Sequence, residues 1–418
     1  MAKLSPVDSS ASADFDVVTA DPQFRDSVVT ATSSRFRIVG AGPTGAMLAL
    51  GLAQQGFDVA LIDRMNDDML LERSRAYAIT HSSRRLLQSL GLWESLSDAL
   101  EPFRVLRLDD CALQLTAWFS LRDLRRPNRC SDAIGWILDH RPLMSLLLAQ
   151  LRSSPRVDLQ LGVDSAGKGS VDSGSPEWTV AADGPRSTLR RSARVPFWSH
   201  TYKQGCLTAK VRLSGAEPDC AYELFRPEGP LAVLPLGRDA YQVVWSGPLN
   251  RCRDRAAYSA AEMASALDEI LPQGLSVAEL LDDPGAFSVE LSLAPRLHQG
   301  PLLLVGESGH RCHPVGGQGL NLCWRDVSVL LNLTEALRRG DLAPRMLARH
   351  YSRQRQFDLA GVLLSTDLLI RFFSNRNPLL MPFRRLALLM LRHVGWIRRL
   401  TLSAMTDGPG TFLKPLSE

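Results

Sequence analysis

The chain has 418 residues, of which 45% are hydrophobic and 22% charged, and its formal net charge is +4. This length permits two domains or one elaborated domain, and so small a net charge argues against general nucleic-acid binding. The seven cysteines are scattered without a Cys-x-x-Cys pair, which argues against a metal site or a disulfide framework and favours a reducing, cytoplasmic location. No charge-free apolar run reaches about 18 residues, so no membrane-spanning helix is predicted.

Residues 1–34 form a segment rich in Ser, Ala and Thr that also carries five aspartates. It lacks the basic-then-apolar order of a secretory signal. Such a composition buries little apolar surface, so we expect a disordered extension, with a transit or regulatory segment as the alternative.

The next segment has the pattern of a dinucleotide-binding βαβ unit. An apolar strand over 36–39 leads into a run of Gly40, Gly42 and Gly45, and an alanine- and leucine-rich helix follows. A second strand ends on Asp63, 18 residues after Gly45, where a carboxylate can accept hydrogen bonds from ribose hydroxyls. The glycines permit a tight turn and a close approach of backbone to a pyrophosphate, which the helix N-terminus would bind. We therefore expect this segment to bind a dinucleotide.

The middle of the chain combines helices with short alternating strands. Leucines at helical spacing predict, over 82–98, a helix that Gly91 ends and a following turn, and a second helix over 142–152; a further helix is predicted over 260–270. Alternating patterns broken by Pro and Gly predict strands over 206–213, 222–225, 231–236 and 241–245. These strands predict an antiparallel sheet inserted between nucleotide-binding segments, and the last hundred residues are predicted to be helical.

A second glycine-rich motif follows late in the chain. Residues 302–305 read as an apolar strand, and Glu307, a glycine loop over 314–319 and a helical pattern over 320–337 come after it. A strand, a glycine loop and a helix N-terminus in this order predict a site that recognises an anion or a dipole. A plain connecting loop is the alternative.

Taken in order, these motifs resemble those of class A flavoprotein aromatic hydroxylases, which are single-component FAD-dependent monooxygenases. Asp183-Gly184 looks like the DG motif of that family, and Gly306-Glu307 with the loop after His313 looks like its GD motif. More narrowly, the runs 225–236 and 374–380 are similar to those of ubiquinone-biosynthesis hydroxylases.

The resemblance implies an α/β fold like that of para-hydroxybenzoate hydroxylase: a Rossmann-like FAD-binding domain, an inserted antiparallel β-sheet substrate domain and a helical C-terminus. We expect the FAD-binding domain to comprise residues 35–200 and 290–345, the substrate domain residues 201–289, and the C-terminal helices residues 346–418. FAD is implied as the bound cofactor, NADPH or NADH as the hydride donor, and molecular oxygen as the co-substrate.

The resemblance also implies roles for individual residues. Gly40, Gly42, Gly45 and Asp63 would hold the adenosine diphosphate half of FAD, and Glu307 would bind its ribityl or ribose hydroxyls. The positions expected to contact the pyrophosphate, the nicotinamide cofactor or the isoalloxazine ring are Arg75, Arg141, Asp183, Gly184, Pro314, Gly316, Gly317, Gln318, Gly319, Leu320 and Asn321. For the two arginines, a surface salt bridge is the alternative.

The implied reaction inserts one oxygen atom into an electron-rich phenolic ring through a flavin 4a-hydroperoxide, so no protein nucleophile is expected. His310 and His313 suggest a general base, but hydrogen bonding within the loop explains the pair and is favoured. The sequence departs from the family in two places. Glu307 stands where Asp is usual, and the segment 162–176 is short and rich in Gly, Ser and Asp, so part of a β-meander is expected to be trimmed.

The tail of the chain is basic and apolar. Residues 368–405 contain no Asp or Glu but seven arginines, and Arg385, Arg392 and Arg399 recur every seven residues, near one face of a predicted helix. A basic amphipathic helix suits an anionic membrane surface or an acidic partner, whereas packing on its own domain with solvated arginines is the alternative.

These inferences together predict a monooxygenase that hydroxylates a polyprenylated phenol in the biosynthesis of a ubiquinone-like or plastoquinone-like quinone. A peripheral position on the inner face of a membrane would suit so apolar a substrate, alone or within a quinone-biosynthesis complex. A flavin-dependent isoprenoid reductase and a non-catalytic flavoprotein of such a complex are the alternatives.

Overall fold

The computed structural model describes residues 35–125, 128–164, 178–375 and 377–408. The expected extension over 1–34 lies outside the described residues, as does nearly all of the segment 162–176. The strands formed by the described residues are β1 Arg35–Val39, β2 Asp58–Asp63, β3 Ala76–Ile79, β4 Leu100–Phe103, β5 Val105–Asp110, β6 Leu115–Ser120, β7 Gly135–Asp139, β8 Val157–Leu161, β9 Trp178–Ala181, β10 Trp198–Ser214, β11 Cys220–Phe225, β12 Leu231–Gly237, β13 Ala240–Pro248, β14 Ser276–Leu280, β15 Gly285–Leu293, β16 His298–Gln299, β17 Leu302–Leu304 and β18 His310–Arg311. Their α-helices are α1 Pro43–Gln54, α2 Asp67–Leu71, α3 His81–Ser89, α4 His140–Ser153, α5 Thr188–Ser192, α6 Leu249–Ala256, α7 Ala260–Asp268, α8 Gln318–Arg338, α9 Leu347–Phe373, α10 Met381–His393 and α11 Gly395–Asp407.

A six-stranded sheet brings the nucleotide-binding motifs to one edge. Its strand order is β16-β17-β9-β1-β2-β8, and all neighbours are parallel except the pair β16 and β17. Ala181 at the end of β9 pairs with Val39 of β1 and with Leu304 of β17, and Val39 also pairs with Ile62 of β2. Because parallel strands end at the same edge, the residues that follow these four strands lie close together.

Helix α1 explains why the first motif folds as it does. Pro43 occupies the first turn, where no N–H is needed, and nine consecutive residues from Gly45 to Ala53 are buried. Gly51 lets the helix approach Leu331 of α8, since a Cβ at that position would lie 2.5 Å from a leucine methyl carbon. The helix is therefore packed between the six-stranded sheet and helices α4 and α8.

The larger sheet is mostly antiparallel and follows the order β18-β15-β10-β13-β12-β11-β5-β6, with β14 also paired to β10. The four strands predicted over 206–245 form its centre. Strands β5 and β6, which lie in the stretch expected to belong to the FAD-binding domain, join this sheet through a parallel pairing of β5 with β11. The proposed bounds of the substrate domain, 201–289, therefore leave out strands that complete its sheet.

The first of the predicted middle helices ends next to the glycine that was expected to end it. Helix α3 ends at Ser89, and after Gly91, whose φ is +71°, the chain continues as a 3₁₀-helix over Glu94–Ala99. The helices predicted over 142–152 and 260–270 correspond to α4 and α7. A small sheet of order β3-β7-β4 connects this part of the chain to α4.

The helical C-terminus is confirmed, but its basic face differs from the prediction. Val394 separates α10 from α11, so Arg399 is not on the same helix as Arg385 and Arg392. Arg384 is fully buried, where it forms a salt bridge with Asp110. The seven-residue repeat therefore does not describe one continuous helical face. None of the helices in the described part of the chain has the length and apolar character needed to cross a membrane.

Candidate active site

A cavity of about 1360 Å³ lies between the edge of the six-stranded sheet, one face of the larger sheet and the C-terminal helices. Typical small-molecule pockets measure roughly 300–1,000 Å³, so this one has room for a dinucleotide and a second molecule. Most of the predicted site residues line it, namely Gly40, Gly42, Asp63, Arg75, Asp183, Gly184, Glu307, Pro314, Gly316, Gly317, Gln318, Gly319 and Leu320.

Gly40 and Gly45 hold the turn between β1 and α1 in a form that requires glycine. A Cβ on Gly45 would lie 1.9 Å from the carbonyl oxygen of Gly40, and one on Gly40 would lie 2.2 Å from that of Ala182. Gly40 also has a φ of +108°, which disfavours any side chain. Around Gly42, by contrast, no atom lies within 4 Å of where a Cβ would be. The first turn of α1 is therefore open to a ligand in the cavity.

Asp63 is buried at the end of β2 and lines the cavity. Its Oδ2 accepts the Ala41 N–H at 2.6 Å, and its Oδ1 accepts the Met65 N–H at 2.9 Å. Each carboxylate oxygen can accept more than one hydrogen bond, so a ribose hydroxyl can still be bound. Asp63 thus braces the glycine turn in addition to the role expected of it.

Asp183 lies two residues after the end of β9, and only one of its two carboxylate oxygens accepts a hydrogen bond from a described residue. Its Oδ2 accepts the Thr188 N–H at 2.8 Å, whereas its Oδ1 is buried and has no hydrogen-bond partner among the described residues. Arg190 anchors the same loop to the late motif, because its guanidinium donates to the Ser308 carbonyl at 2.7 Å and to the Pro185 carbonyl at 2.9 Å. The unpartnered oxygen marks a position where a bound molecule would supply a donor.

Glu307 lies in the short 3₁₀-helix Gly306–Ser308, and its side chain is 39% exposed and 3.8 Å from Arg311. The turn is held from beneath by Asp326, a fully buried residue of α8. Asp326 accepts the Gly306 N–H at 2.7 Å and a hydrogen bond from His310 at 2.7 Å.

A second helix contributes to the support of Asp326. Arg355 of α9 donates to its Oδ1 at 2.5 Å. Burial opposes ionisation of Asp326, but the charges of His310 and Arg355 prevail and lower its pKa to about 2. The carboxylate is therefore ionised at neutral pH.

The loop before α8 has the backbone that its glycines permit. Gly316 and Gly317 have φ values of +69° and +62°, and a Cβ on Gly317 would lie 2.7 Å from Ala78. No atom lies within 4 Å of where a Cβ on Gly319 would be, so the first turn of α8 faces open space in the cavity. Gln318 ties the loop to α11 by donating to the Met405 carbonyl at 3.2 Å.

Three of the predicted cofactor-binding residues, Gly45, Arg141 and Asn321, do not line the cavity. The Asn321 side chain is saturated within the protein: it accepts from Thr80 and Ser83 and donates to the carbonyls of Ala78 and Gly317. Arg141 is exposed near the start of α4 and does not line the cavity. Asn321 thus positions the loop, and Gly45 likewise shapes its turn from behind.

The two histidines of the late motif are part of the loop framework. His310 and His313 are both buried, and the backbone N–H of Val315 donates to Nδ1 of His313 at 3.1 Å. Burial lowers the pKa of His313 to about 4, so this imidazole is neutral at pH 7. Neither histidine lines the cavity. The hydrogen bond of His313 lies within the loop, whereas His310 bonds to Asp326 of α8, so both histidines hold the loop in place from behind the cavity wall.

Sequence reasoning missed several polar residues of the cavity. Tyr77 of β3 donates to or accepts from Nδ1 of His140 at 2.8 Å, and burial raises its pKa to about 12, which Arg75 partly opposes. Glu223 of β11 and Gln242 of β13 lie on the cavity-facing side of the larger sheet. Strand alternation was the available signal, but it does not tell which face meets the cofactor-binding half.

Comparison with known proteins identifies the family. Residues 34–105 and 163–361 match a family model described as an FAD binding domain. The chain belongs to this family. It is 28% identical to the ubiquinone hydroxylase UbiL of Rhodospirillum rubrum, with 92% of each chain covered, and 28% identical to the 3-demethoxyubiquinol 3-hydroxylase of Escherichia coli, with 90% and 98% covered. A Synechocystis protein, slr1300, is 30% identical with 88% and 92% covered. The chain is therefore a class A FAD-dependent monooxygenase.

Solved structures with this fold include the p-nitrophenol 4-monooxygenase PnpA of Pseudomonas putida, with a TM-score of 0.69 at 19% identity and 90% and 98% of the chains covered. Klebsiella pneumoniae HpxO, in complex with FAD and uric acid, has a TM-score of 0.68 at 18% identity, with 90% and 96% covered. The predicted fold, a Rossmann-like domain with an inserted sheet and a helical C-terminus, is confirmed, as is FAD as the cofactor.

The residues around the cavity of this monooxygenase fit FAD. The open first turn of α1 suits a pyrophosphate, the free oxygen of Asp183 suits a donor, and the first turn of α8 suits the anionic side of a reduced flavin. A helix N-terminus stabilises such a charge by about 0.3–1 kcal/mol when exposed and more when partly buried. When bound, FAD supplies the redox chemistry that activates oxygen, and the protein positions the reactants and excludes water.

Proposed function

We propose that this monooxygenase hydroxylates the aromatic ring of a polyprenylated phenol in quinone biosynthesis, with NADPH or NADH as the reductant. The two ubiquinone hydroxylases named above match nearly the whole chain, which supports a related substrate. Neither an isoprenoid reductase nor a non-catalytic flavoprotein is favoured by these relatives.

The apolar end of the cavity is the observation that carries the proposal. Beyond the glycine loop, the cavity continues between the C-terminal helices, where its lining is mostly apolar, with hydroxyl groups contributed by Ser365, Thr366, Thr401 and Thr406. The residues of α9, α10 and α11 that line it there include Val362, Leu369, Phe373, Leu388, Leu391, Leu400, Leu402 and Met405. Burying each CH₂ of a ligand in such a space contributes about 0.8 kcal/mol, so a prenyl chain would add substantially to binding.

The positions of the predicted residues along the cavity support the cofactor roles proposed for them. In this proposal, Gly40, Gly42 and Asp63 hold the adenosine diphosphate half of FAD, with Gly45 shaping the turn. Asp183 and Gly184 line the same cavity and would contact the pyrophosphate and an incoming nicotinamide cofactor.

The flavin-ring half of the site follows in the same way. Glu307 would bind the ribityl or ribose hydroxyls despite its extra methylene, and Pro314 to Leu320 would surround the isoalloxazine ring. The exposed position of Arg141 gives its proposed contact no support.

We also propose that the C-terminal helices touch an anionic membrane surface from the cytoplasmic side. Large apolar side chains are exposed there, including Phe383, Leu386 and Trp396, of which 62%, 57% and 66% are accessible. Arg385, Arg392 and Arg399 are exposed on the same two helices. Apolar side chains flanked by cations suit the boundary between anionic headgroups and acyl chains, so a membrane-held substrate would reach the apolar end of the cavity directly.

Oxygen uptake tests the reaction. The purified, FAD-loaded protein is supplied with NADPH or NADH and a short-chain prenylphenol, and oxygen consumption and product mass are measured in ¹⁸O₂. We expect substrate-dependent uptake and one ¹⁸O atom in the product. Product formed without oxygen would instead indicate a reductase, and yellow protein that oxidises no nicotinamide with any prenylphenol would contradict catalysis.

Flotation with vesicles tests the membrane contact. Vesicles of phosphatidylcholine with phosphatidylserine should retain the protein, and neutral vesicles should retain it less. Replacing Arg385, Arg392 and Arg399 by Gln should weaken binding, since each such cation near the surface contributes about 1 kcal/mol. Arg253→Gln, an exposed change on α6, is the matched control, and equal binding by both variants would refute the contact.

A further inference from the structure

One wall of the cavity is a face of the larger sheet, which is mostly apolar apart from a few polar side chains such as Thr208 on β10 and Gln242 on β13. Glu223 stands in the middle of this wall, on β11. Its register neighbours are Leu108 on β5 and Ala232 on β12, and all three residues line the cavity. Leu106 and Phe225 line it on either side. A carboxyl group so placed costs free energy to bury, and so its position calls for an explanation.

The surroundings of Glu223 leave its carboxyl without a counter-ion. The residue is 7% exposed, and it forms no salt bridge with any described residue. Gly316, in the loop that would surround the flavin ring, lines the same cavity, and its backbone N–H favours the charged form of the carboxyl and so lowers its pKa. Glu223 therefore lies where the substrate sheet meets the flavin-ring loop.

Building on the proposed function, we propose that Glu223 is a catalytic residue that accepts the phenolic proton of the substrate, so that the ring is hydroxylated as its phenolate. The phenolic O–H bond breaks, its electron pair stays on oxygen, and the proton bonds to a carboxylate oxygen of Glu223. Negative charge moves from the carboxylate to the phenolate, and no oxidant or reductant is consumed. A phenolate ring is richer in electrons than a phenol and accepts an electrophilic oxygen more readily.

The acid–base balance supports this role. Phenolic groups have pKa values of about 10 and ordinary glutamates about 4.3, so an exposed glutamate would be a poor acceptor. Burial raises the pKa of Glu223 to about 7, and the Gly316 N–H opposes part of that rise. A base whose pKa lies near the working pH is both ionised and basic enough to act.

Two of the other cations that line the cavity have partners of their own. Arg311 lies 3.8 Å from both Glu290 and Glu307, and Arg75 lies over the ring of Phe287 at 5.4 Å. The Cys206 thiol of β10 interacts electrostatically with Glu223, but burial raises its pKa to about 12, so it is neutral at working pH. The rate of hydroxylation should therefore rise with pH as Glu223 ionises.

The variant Glu223→Gln tests the proposal, with Glu217→Gln, an exposed change just before β11, as the matched control. The probe is 2-prenylphenol, and ultraviolet difference spectra report whether it binds to the FAD-loaded, oxidised enzyme as phenol or phenolate. We expect a phenolate band with the wild type and the control, and its loss in Glu223→Gln. Hydroxylation should fall by about 10²–10⁴-fold, and its pH dependence near neutrality should disappear.

A fluorinated and therefore more acidic prenylphenol should recover much of the lost rate in Glu223→Gln, which a merely structural role would not predict. Glu223→Asp keeps the carboxylate and should retain the phenolate band. If Glu223→Gln loses FAD, this variant tests the proposal instead, and loss of the phenolate band in FAD-loaded Glu223→Asp would contradict it. A phenolate band and an unchanged rate in Glu223→Gln would overturn the proposal while leaving the proposed function intact. No hydroxylated product from the wild type or from Glu217→Gln would overturn both.

Discussion

Replacing Asp326 by Asn removes the ionic centre beneath the late motif. The carboxylate is fully buried and accepts hydrogen bonds from Gly306, His310 and Arg355. Breaking a buried, hydrogen-bonded ion pair costs about 3–5 kcal/mol, because the remaining charge stays desolvated. Arg355 keeps its bond to Asp358 at 2.5 Å, so we expect the lower half of that range.

Acid should remove part of the same stabilisation in the wild type. The pKa of Asp326 is lowered from 3.8 to about 2, so its contribution is fully present above pH 4 and is lost as the pH falls toward 2. This difference corresponds to about 2 kcal/mol. It is smaller than the cost of the substitution because the lowered pKa is a net effect, in which burial offsets part of the attraction of the carboxylate to His310 and Arg355.

Urea unfolding of the holoenzyme, followed by circular dichroism at pH 7 and at pH 3, measures both effects. We expect Asp326→Asn to unfold at lower urea and to lose stability less steeply on acidification. FAD should also dissociate more readily, because the Gly306–Ser308 turn would lose its anchor. Asp341→Asn, an exposed change after α8, is the control. Equal unfolding midpoints and equal acid sensitivity in wild type and Asp326→Asn would refute the reasoning.

Three further outcomes are expected. Asp183→Ala should slow reduction by the nicotinamide cofactor and weaken FAD retention, measured by stopped-flow absorbance, whereas the exposed change Asp158→Ala should do neither. Gly45→Ala should yield protein with little bound flavin, since its Cβ would lie 1.9 Å from a carbonyl oxygen; Gly395→Ala, whose Cβ would meet only arginine tips at 3.8 Å, should stay yellow. Leu391→Gln should raise KM for a long-chain prenylphenol by about tenfold, consistent with the loss of about 1–3 kcal/mol of apolar contact, and should leave KM for a short-chain prenylphenol unchanged. Equal increases in KM for both chain lengths would contradict binding of the prenyl chain beside α10.

The parts of the site that sequence could predict are those with strict steric needs. Gly40 and Gly45 cannot carry a side chain where two backbone segments touch, and so the glycine pattern is visible in the sequence. Asp63, Asp183 and Glu307 were predicted because each directly follows an apolar strand or its turn. Their individual roles toward FAD stay predictions, although the structure places all three on one cavity.

Other features depended on contacts between distant segments. Asn321 has the expected place at the start of α8, but its hydrogen bonds to Ala78, Thr80 and Ser83 turn it away from the cavity. Arg384 was counted among the basic residues of the tail, yet it is buried against Asp110, 274 positions earlier in the chain. Sequence spacing alone does not reveal such partners.

Local patterns were sufficient for the cofactor-binding half, because a strand, a glycine turn and a helix lie within some thirty residues and constrain one another directly. The substrate-facing wall was decided by folding, since β5, β11 and α9 to α11 meet there from widely separated positions. Apolar contacts are non-directional, so many sequences can build such a wall and none leaves a characteristic motif. Glu223 gains its significance only from that burial, as an acid whose neighbours on the sheet happen to be leucine and alanine.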